Sequence, residues 1–153
     1  MARPAVFGIR PVVAGTLAAA ACVSALAAAQ GSANEAGARS TLRAIVSGQI
    51  TYSAVCSTGF YAPTLADLGR PAKGAKTGFI LDTDVPPKGA TVLEKWRYRI
   101  EMTAPPAKAS PASCNGVPAG GSAQSFVITA RPLPGFSGRA FRIDDKGELT
   151  EIK

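Results

Sequence analysis

No histidine occurs in the 153 residues. That excludes histidine-based triads, histidine metal sites and a histidine general acid or base. Cysteine is scarce. Cys22, Cys56 and Cys114 are one too few for a four-cysteine zinc site. No serine stands in a Gly-x-Ser-x-Gly elbow, and no Ser-x-x-Lys supplies a lysine base. The stretch from Gly116 to Gly121 lacks the Lys-Ser/Thr ending of a phosphate loop. These absences argue against an enzyme, against a cofactor and against a small-molecule substrate. Charged residues are only 18% of the chain against 46% apolar, so a disordered polyelectrolyte is excluded as well. Glycine and proline together make 28 residues, which predicts one globular domain rich in turns.

The N-terminus carries Arg3 and Arg10 and no acid, and Pro11 to Ala29 is free of charge. Small residues then alternate through Ala25, Ala27 and Ala29. This is the order of a secretory signal, cleaved after Ala29 or Ala27. It divides the chain into a signal peptide over 1–29 and a domain over 30–153. Nineteen uncharged residues also match the length of a bilayer span, so an uncleaved membrane anchor over residues 11–29 is the alternative. Most of them are alanine, which contributes little to insertion. A third reading is a lipid-modified Cys22 after Ala19-Ala20-Ala21.

Cleavage removes two of the seventeen basic residues and leaves fifteen against ten acidic, a net +5. Two cysteines remain. In an exported chain, Cys56 and Cys114 read as a disulfide, with two separate thiols as the alternative. The expected localisation is the periplasm or the extracellular space, with membrane attachment only if the N-terminal segment stays uncleaved.

Residues 32–55 predict one long helix. Ala38, Leu42, Ile45, Val46, Gln49 and Ser53 recur on one face, and Arg39, Arg43 and Ser47 lie opposite. Ser32 with Glu35 suits a capping box at its start. Ser57-Thr58-Gly59 should end it. Phe60-Tyr61 follows as an extended piece that folds back to seal the helix end, with an exposed ligand-contact pair as the alternative. Thr64 caps a short turn of helix from Leu65 to Leu68, stopped at Gly69. Residues 70–78 read as a surface loop, and Asp82 to Gly89 as a turn region. Within it, Asp82 and Asp84 favour turn capping over calcium, which needs six to eight ligands.

The period then changes to two. Trp96, Tyr98, Ile100 and Met102 alternate with Arg97, Arg99, Glu101 and Thr103, a half-buried strand with an aromatic inner face. Residues 104–124 form a long connection that a Cys56–Cys114 bond would tether to the helix end. Ser125 to Arg131 gives a second strand, with Phe126, Ile128 and Ala130 inward. Arg139 to Asp144 gives a third, with Phe141 and Ile143 inward. The turn at Asp145-Lys146-Gly147 returns a short last strand to Ile152. The expected fold is α+β: a long N-terminal helix packed on a three- to four-stranded antiparallel sheet. Arg97, Arg99, Arg131, Arg139 and Arg142 lie on or beside the strands and predict a candidate face for an anionic polymer, DNA or glycan. The alternative is an ordinary solvated face, partly balanced by Glu101, Glu148 and Glu151.

Two short motifs carry a resemblance. The helix ending Ala44-Ile45-Val46-Ser47-Gly48-Gln49 runs into Tyr61-Ala62-Pro63-Thr64-Leu65. The last hairpin reads Phe141-x-x-Asp144-x-x-Gly147. Over roughly residues 33–152 the chain resembles the globular part of type IV pilin-like proteins, especially a bacterial pseudopilin-like group. The resemblance implies a pilin-like fold with a disulfide in its variable part. It also implies a structural or interaction protein of the cell envelope, whose partners are other envelope, pilus or type II secretion-like proteins. The sequence departs from the family at its start. Phe7-Gly8 has the reverse order of a prepilin peptidase site, and no acid precedes Glu35.

Overall fold

The computed structural model describes the backbone from Leu17 and the side chains from Gln30 onward. The signal expected over 1–29, the anchor alternative over 11–29 and the lipidation alternative at Cys22 lie outside the residues so described. Among the described residues no helix is long and apolar enough to cross a membrane.

The order of elements is α1 (Leu17–Val55), α2 (Leu65–Gly69), β1 (Val92–Lys95), β2 (Tyr98–Thr103), β3 (Val127–Pro132), β4 (Ala140–Asp144) and β5 (Leu149–Ile152). A 3-10 turn over Asp82–Asp84 precedes β1. The five strands form one antiparallel sheet in sequence order. The fold class is α+β, as expected.

Helix α1 lies on one face of the sheet. Leu42, Ile45, Val46, Gln49 and Tyr52 of α1 are buried against Tyr98, Ile100, Ile128, Ala130, Phe141 and Ile143. The alternation expected for β2 to β4 sets this register. Ile100 faces Ala130, and Ala130 faces Phe141; Met102 faces Ile128, and Ile128 faces Ile143. Each such row is one inward-pointing line of side chains.

The capping box does not form. The backbone is helical from Leu17, so the amides near Ser32 are already inside the helix and leave no orphan donors for a cap. Glu35 is free for another use, described below.

The sheet has five strands rather than three or four, because a hairpin is hidden at Trp96-Arg97. Lys95 pairs with Tyr98, so these two residues are the whole turn between β1 and β2. Both have positive φ, 58° and 59°. A two-residue hairpin demands that geometry and ordinarily uses Asn-Gly. Here two bulky residues adopt it, at a cost of order 1–3 kcal/mol each. With no glycine or asparagine to mark the turn, the alternation reads straight through it.

The same turn overturns two expectations. Trp96 is not core: it is 45% exposed, while Tyr98 is fully buried. Its indole lies on α1 where Gly37 leaves room, since a Cβ there would stand 2.5 Å from indole Cδ2. Its Nε1 donates to Thr41 Oγ1 at 3.2 Å. Arg97 likewise sits on the turn and not on the strand with Arg99.

The connection from β2 to β3 is held at several points. Cys56 and Cys114 are joined by a disulfide with Cα atoms 4.8 Å apart, so the alternative of two separate thiols does not hold. The Cys114 amide also donates to the Cys56 carbonyl at 2.9 Å. Asn115 Nδ2 donates to the carbonyls of Asp67 at 2.7 Å and Arg70 at 3.2 Å, which fastens the connection to the end of α2. The start of α2 is capped as its sequence predicts, by Thr64 Oγ1 accepting from the Asp67 amide at 3.0 Å. Tyr61 pairs with Ala123 and packs edge-on against Phe126, with ring centroids 4.9 Å apart. Ala62 exchanges hydrogen bonds with the Gln49 side chain of α1, so this segment does fold back over the helix.

Candidate functional site

The five candidate arginines occupy three different places. Arg99, Arg131 and Arg142 point to the outer face of the sheet, away from α1. Arg99 lies directly across from Arg131, and Arg142 lies opposite Thr129, two positions along β3 from Arg131. Diagonal neighbours of that kind are about 7–8 Å apart. All three are exposed. Arg99 Nε donates to Glu101 Oε1 at 2.6 Å, and Glu94 lies across from it on β1. Among the described residues, Arg131 and Arg142 have no salt bridge. The outer face therefore carries one neutralised and two uncompensated guanidiniums.

Arg139 is not part of that face. It forms the latch between the sheet and α1. Its Nη2 donates to Glu35 Oε2 at 2.7 Å and its Nε at 3.0 Å, while its backbone amide donates to Glu35 Oε1 at 3.1 Å. Its Nη1 reaches Glu151 at 3.2 Å. This is the use to which the uncapped Glu35 is put. The Arg139 side-chain hydrogen bonds hold the Glu35 carboxyl below its ordinary value, against the opposing effect of burial. The same bonds raise Arg139.

A pH dependence follows. A carboxyl with a lowered folded pKa contributes stability that is fully present above the unfolded value, 4.5, and lost as pH falls through the lower folded value. Glu35→Gln should therefore be less stable than the parent at neutral pH. The difference in urea midpoint should shrink as pH falls below 4.5. A difference that stays constant down to pH ~3 would mean that the Glu35 charge contributes nothing.

Arg97 stands apart from both groups. Its guanidinium lies over the Phe136 ring, 5.2 Å from the centroid, and its carbonyl accepts from the Leu133 amide at 2.9 Å. These contacts hold it at the rim of an open cavity of about 930 Å³. Residues 30–35 of α1 form one wall, and Phe136, Ser137 and Arg139 form the other. Sequence reading missed this cavity. Its two walls lie about a hundred residues apart, and no spacing rule connects Asn34 to Ser137.

Asp82 and Asp84 do not gather further ligands. Asp84 is buried and accepts from Lys95 Nζ at 2.7 Å, pinning the 3-10 turn to β1. Among the described residues no group of three or more cysteine, aspartate or glutamate side chains is placed to hold a metal.

Comparison with protein-family models, with curated proteins and with solved structures finds no match to this chain.

Proposed function

We propose that the chain is an exported pilin-like module of the cell envelope that acts by contact and not by turnover, beside a type IV pilus or type II secretion-like apparatus. The observation that carries this reading is the succession of one long helix, an irregular disulfide-bonded segment and an antiparallel meander. The Cys56–Cys114 bond is the chemistry of an oxidising compartment, which supports export. The face of α1 away from the sheet supports a contact role. Ser40, Ala44, Ser47, Thr51 and Ala54 are exposed there, and small side chains let a partner approach closely with little side-chain entropy to lose.

The test is a photo-crosslinking residue at Ala44 in the native host. Adducts with an envelope component or a second copy are expected. Monomer alone, at a normal exported level, would reject the reading.

A second reading has its own observation in Arg131 and Arg142, uncompensated on an uncovered sheet face. Such a face suits an anionic polymer. With two phosphate contacts, affinity for DNA should fall roughly 12-fold between 50 and 200 mM salt. Arg131→Glu with Arg142→Glu should abolish binding. Affinity indifferent to salt would exclude it.

A further inference from the structure

Arg97 takes the left-handed backbone that its two-residue hairpin demands, where glycine or asparagine is the ordinary choice. Its φ of 59° is one that a glycine would adopt freely, and its neighbour Trp96 shares the strain. Trp96 is compensated by its seat on α1 and its bond to Thr41. Arg97 is exposed and has no carboxylate partner among the described residues. A non-glycine residue held in this region is often kept there for what its side chain does. The Phe136 ring holds this guanidinium at the rim of the cavity before any ligand arrives.

The cavity has the chemistry of a site for a polar ligand. It is an open groove of about 930 Å³, roomy enough for a short oligosaccharide that stays partly in solvent. Gln30, Asn34 and Ser137 line it with amides and a hydroxyl, which both donate and accept. Charge selects further. Arg139 is already engaged by Glu35 and Glu151, so among the lining side chains Arg97 is the cation left to meet an anion. Glu35 is itself paired with Arg139 and Arg39, so that wall offers an anion no second free charge. A single carboxylate, met by the planar fork of one guanidinium, fits better than a dianionic phosphate. Hydroxyl groups around that carboxylate would meet the amide-lined wall.

We propose that the cavity between residues 30–35 of α1, Arg97 and the Phe136–Arg139 segment binds an acidic saccharide of the uronate class, whose carboxylate pairs with Arg97. This site is separate from the outer face of Arg131 and Arg142, and it does not rest on the pilin-like reading.

The test is a titration of the exported protein with a galacturonate trimer, its fully methyl-esterified form and inorganic phosphate. Isothermal titration calorimetry reads the binding; Trp96, the only tryptophan, adjoins Arg97 without lining the cavity, so its emission is a second readout. Saturable binding of the trimer is expected, weaker by roughly tenfold or more for the ester and for Arg97→Gln. Ser137→Leu, which narrows the cavity, removes its hydroxyl and leaves Arg97 in place, should weaken binding as well. Arg131→Gln with Arg142→Gln should bind like the parent. The proposal is overturned if the trimer does not saturate, if the ester binds equally, or if phosphate displaces the trimer at equal concentration. It is also overturned if either cavity variant, with an unchanged circular dichroism spectrum, binds like the parent, or if the outer-face pair loses binding.

Discussion

Replacing Cys56 and Cys114 by serine should destabilise the protein by about 3 kcal/mol and lower its Tm by roughly 10 °C. The bond spans 58 residues, a long loop for a small domain. In the loop-entropy description, opening it restores to the unfolded chain a freedom equivalent to roughly 3–4 kcal/mol. The folded state is also affected. Cys56 is buried in the core beside the end of α1, so a serine there places a hydroxyl among apolar neighbours. The contacts that remain to hold the connection include the Cys114 amide bond to the Cys56 carbonyl, the pairing of Ala123 with Tyr61 and Pro106, and the bonds between Asn115 and Asp67 and Arg70. Local opening should therefore begin in residues 104–124, and amide exchange there should quicken before it does in β2 to β4. A double serine variant with the parent Tm would show that these polar contacts alone suffice.

Gln49→Met should cost roughly 2–4 kcal/mol, because two buried backbone groups lose their partners at about 1–3 kcal/mol each. Gln49 is fully buried, and so is Ala62. Gln49 Nε2 donates to the Ala62 carbonyl at 2.9 Å, and the Ala62 amide donates to Gln49 Oε1 at 2.8 Å. The side chain thus pairs with a backbone as a neighbouring strand would. The same Nε2 also approaches Met102 Sδ at 3.1 Å. Methionine keeps the volume and supplies neither the donor nor the acceptor. The loss should appear as a lower urea midpoint with an unchanged slope. A change within about 0.5 kcal/mol would mean that Ala62 finds other partners, contrary to the geometry.

Where the chain obeys local rules, its sequence announces the structure. The core face of α1 follows from Leu42, Ile45, Val46 and Gln49 at helical spacing, and the polar Gln49 belongs there because Ala62 needs it. The inward rows of β2, β3 and β4 follow from strict alternation. The Thr64 cap and the Cys56–Cys114 bond follow from residue type and count. The hidden features are those in which tertiary contacts override local preference. Trp96 and Arg97 form a turn that local chemistry disfavours, because Gly37 lets the indole settle on α1. Glu35 looks like half of a capping box until the continuous helix removes the need for a cap and Arg139 claims it. The five arginines look like one basic face, yet a latch takes Arg139 and a turn takes Arg97. What joins each of these pairs is a long sequence separation, which no window of ten or twenty residues contains.

The most direct measurement is the intact mass of the protein recovered from its native host, before and after reduction and alkylation. For an exported, disulfide-bonded module the mass should begin near Gln30, and two thiols should become alkylatable only after reduction. Thiols at Cys56 and Cys114 that react without reduction would contradict it.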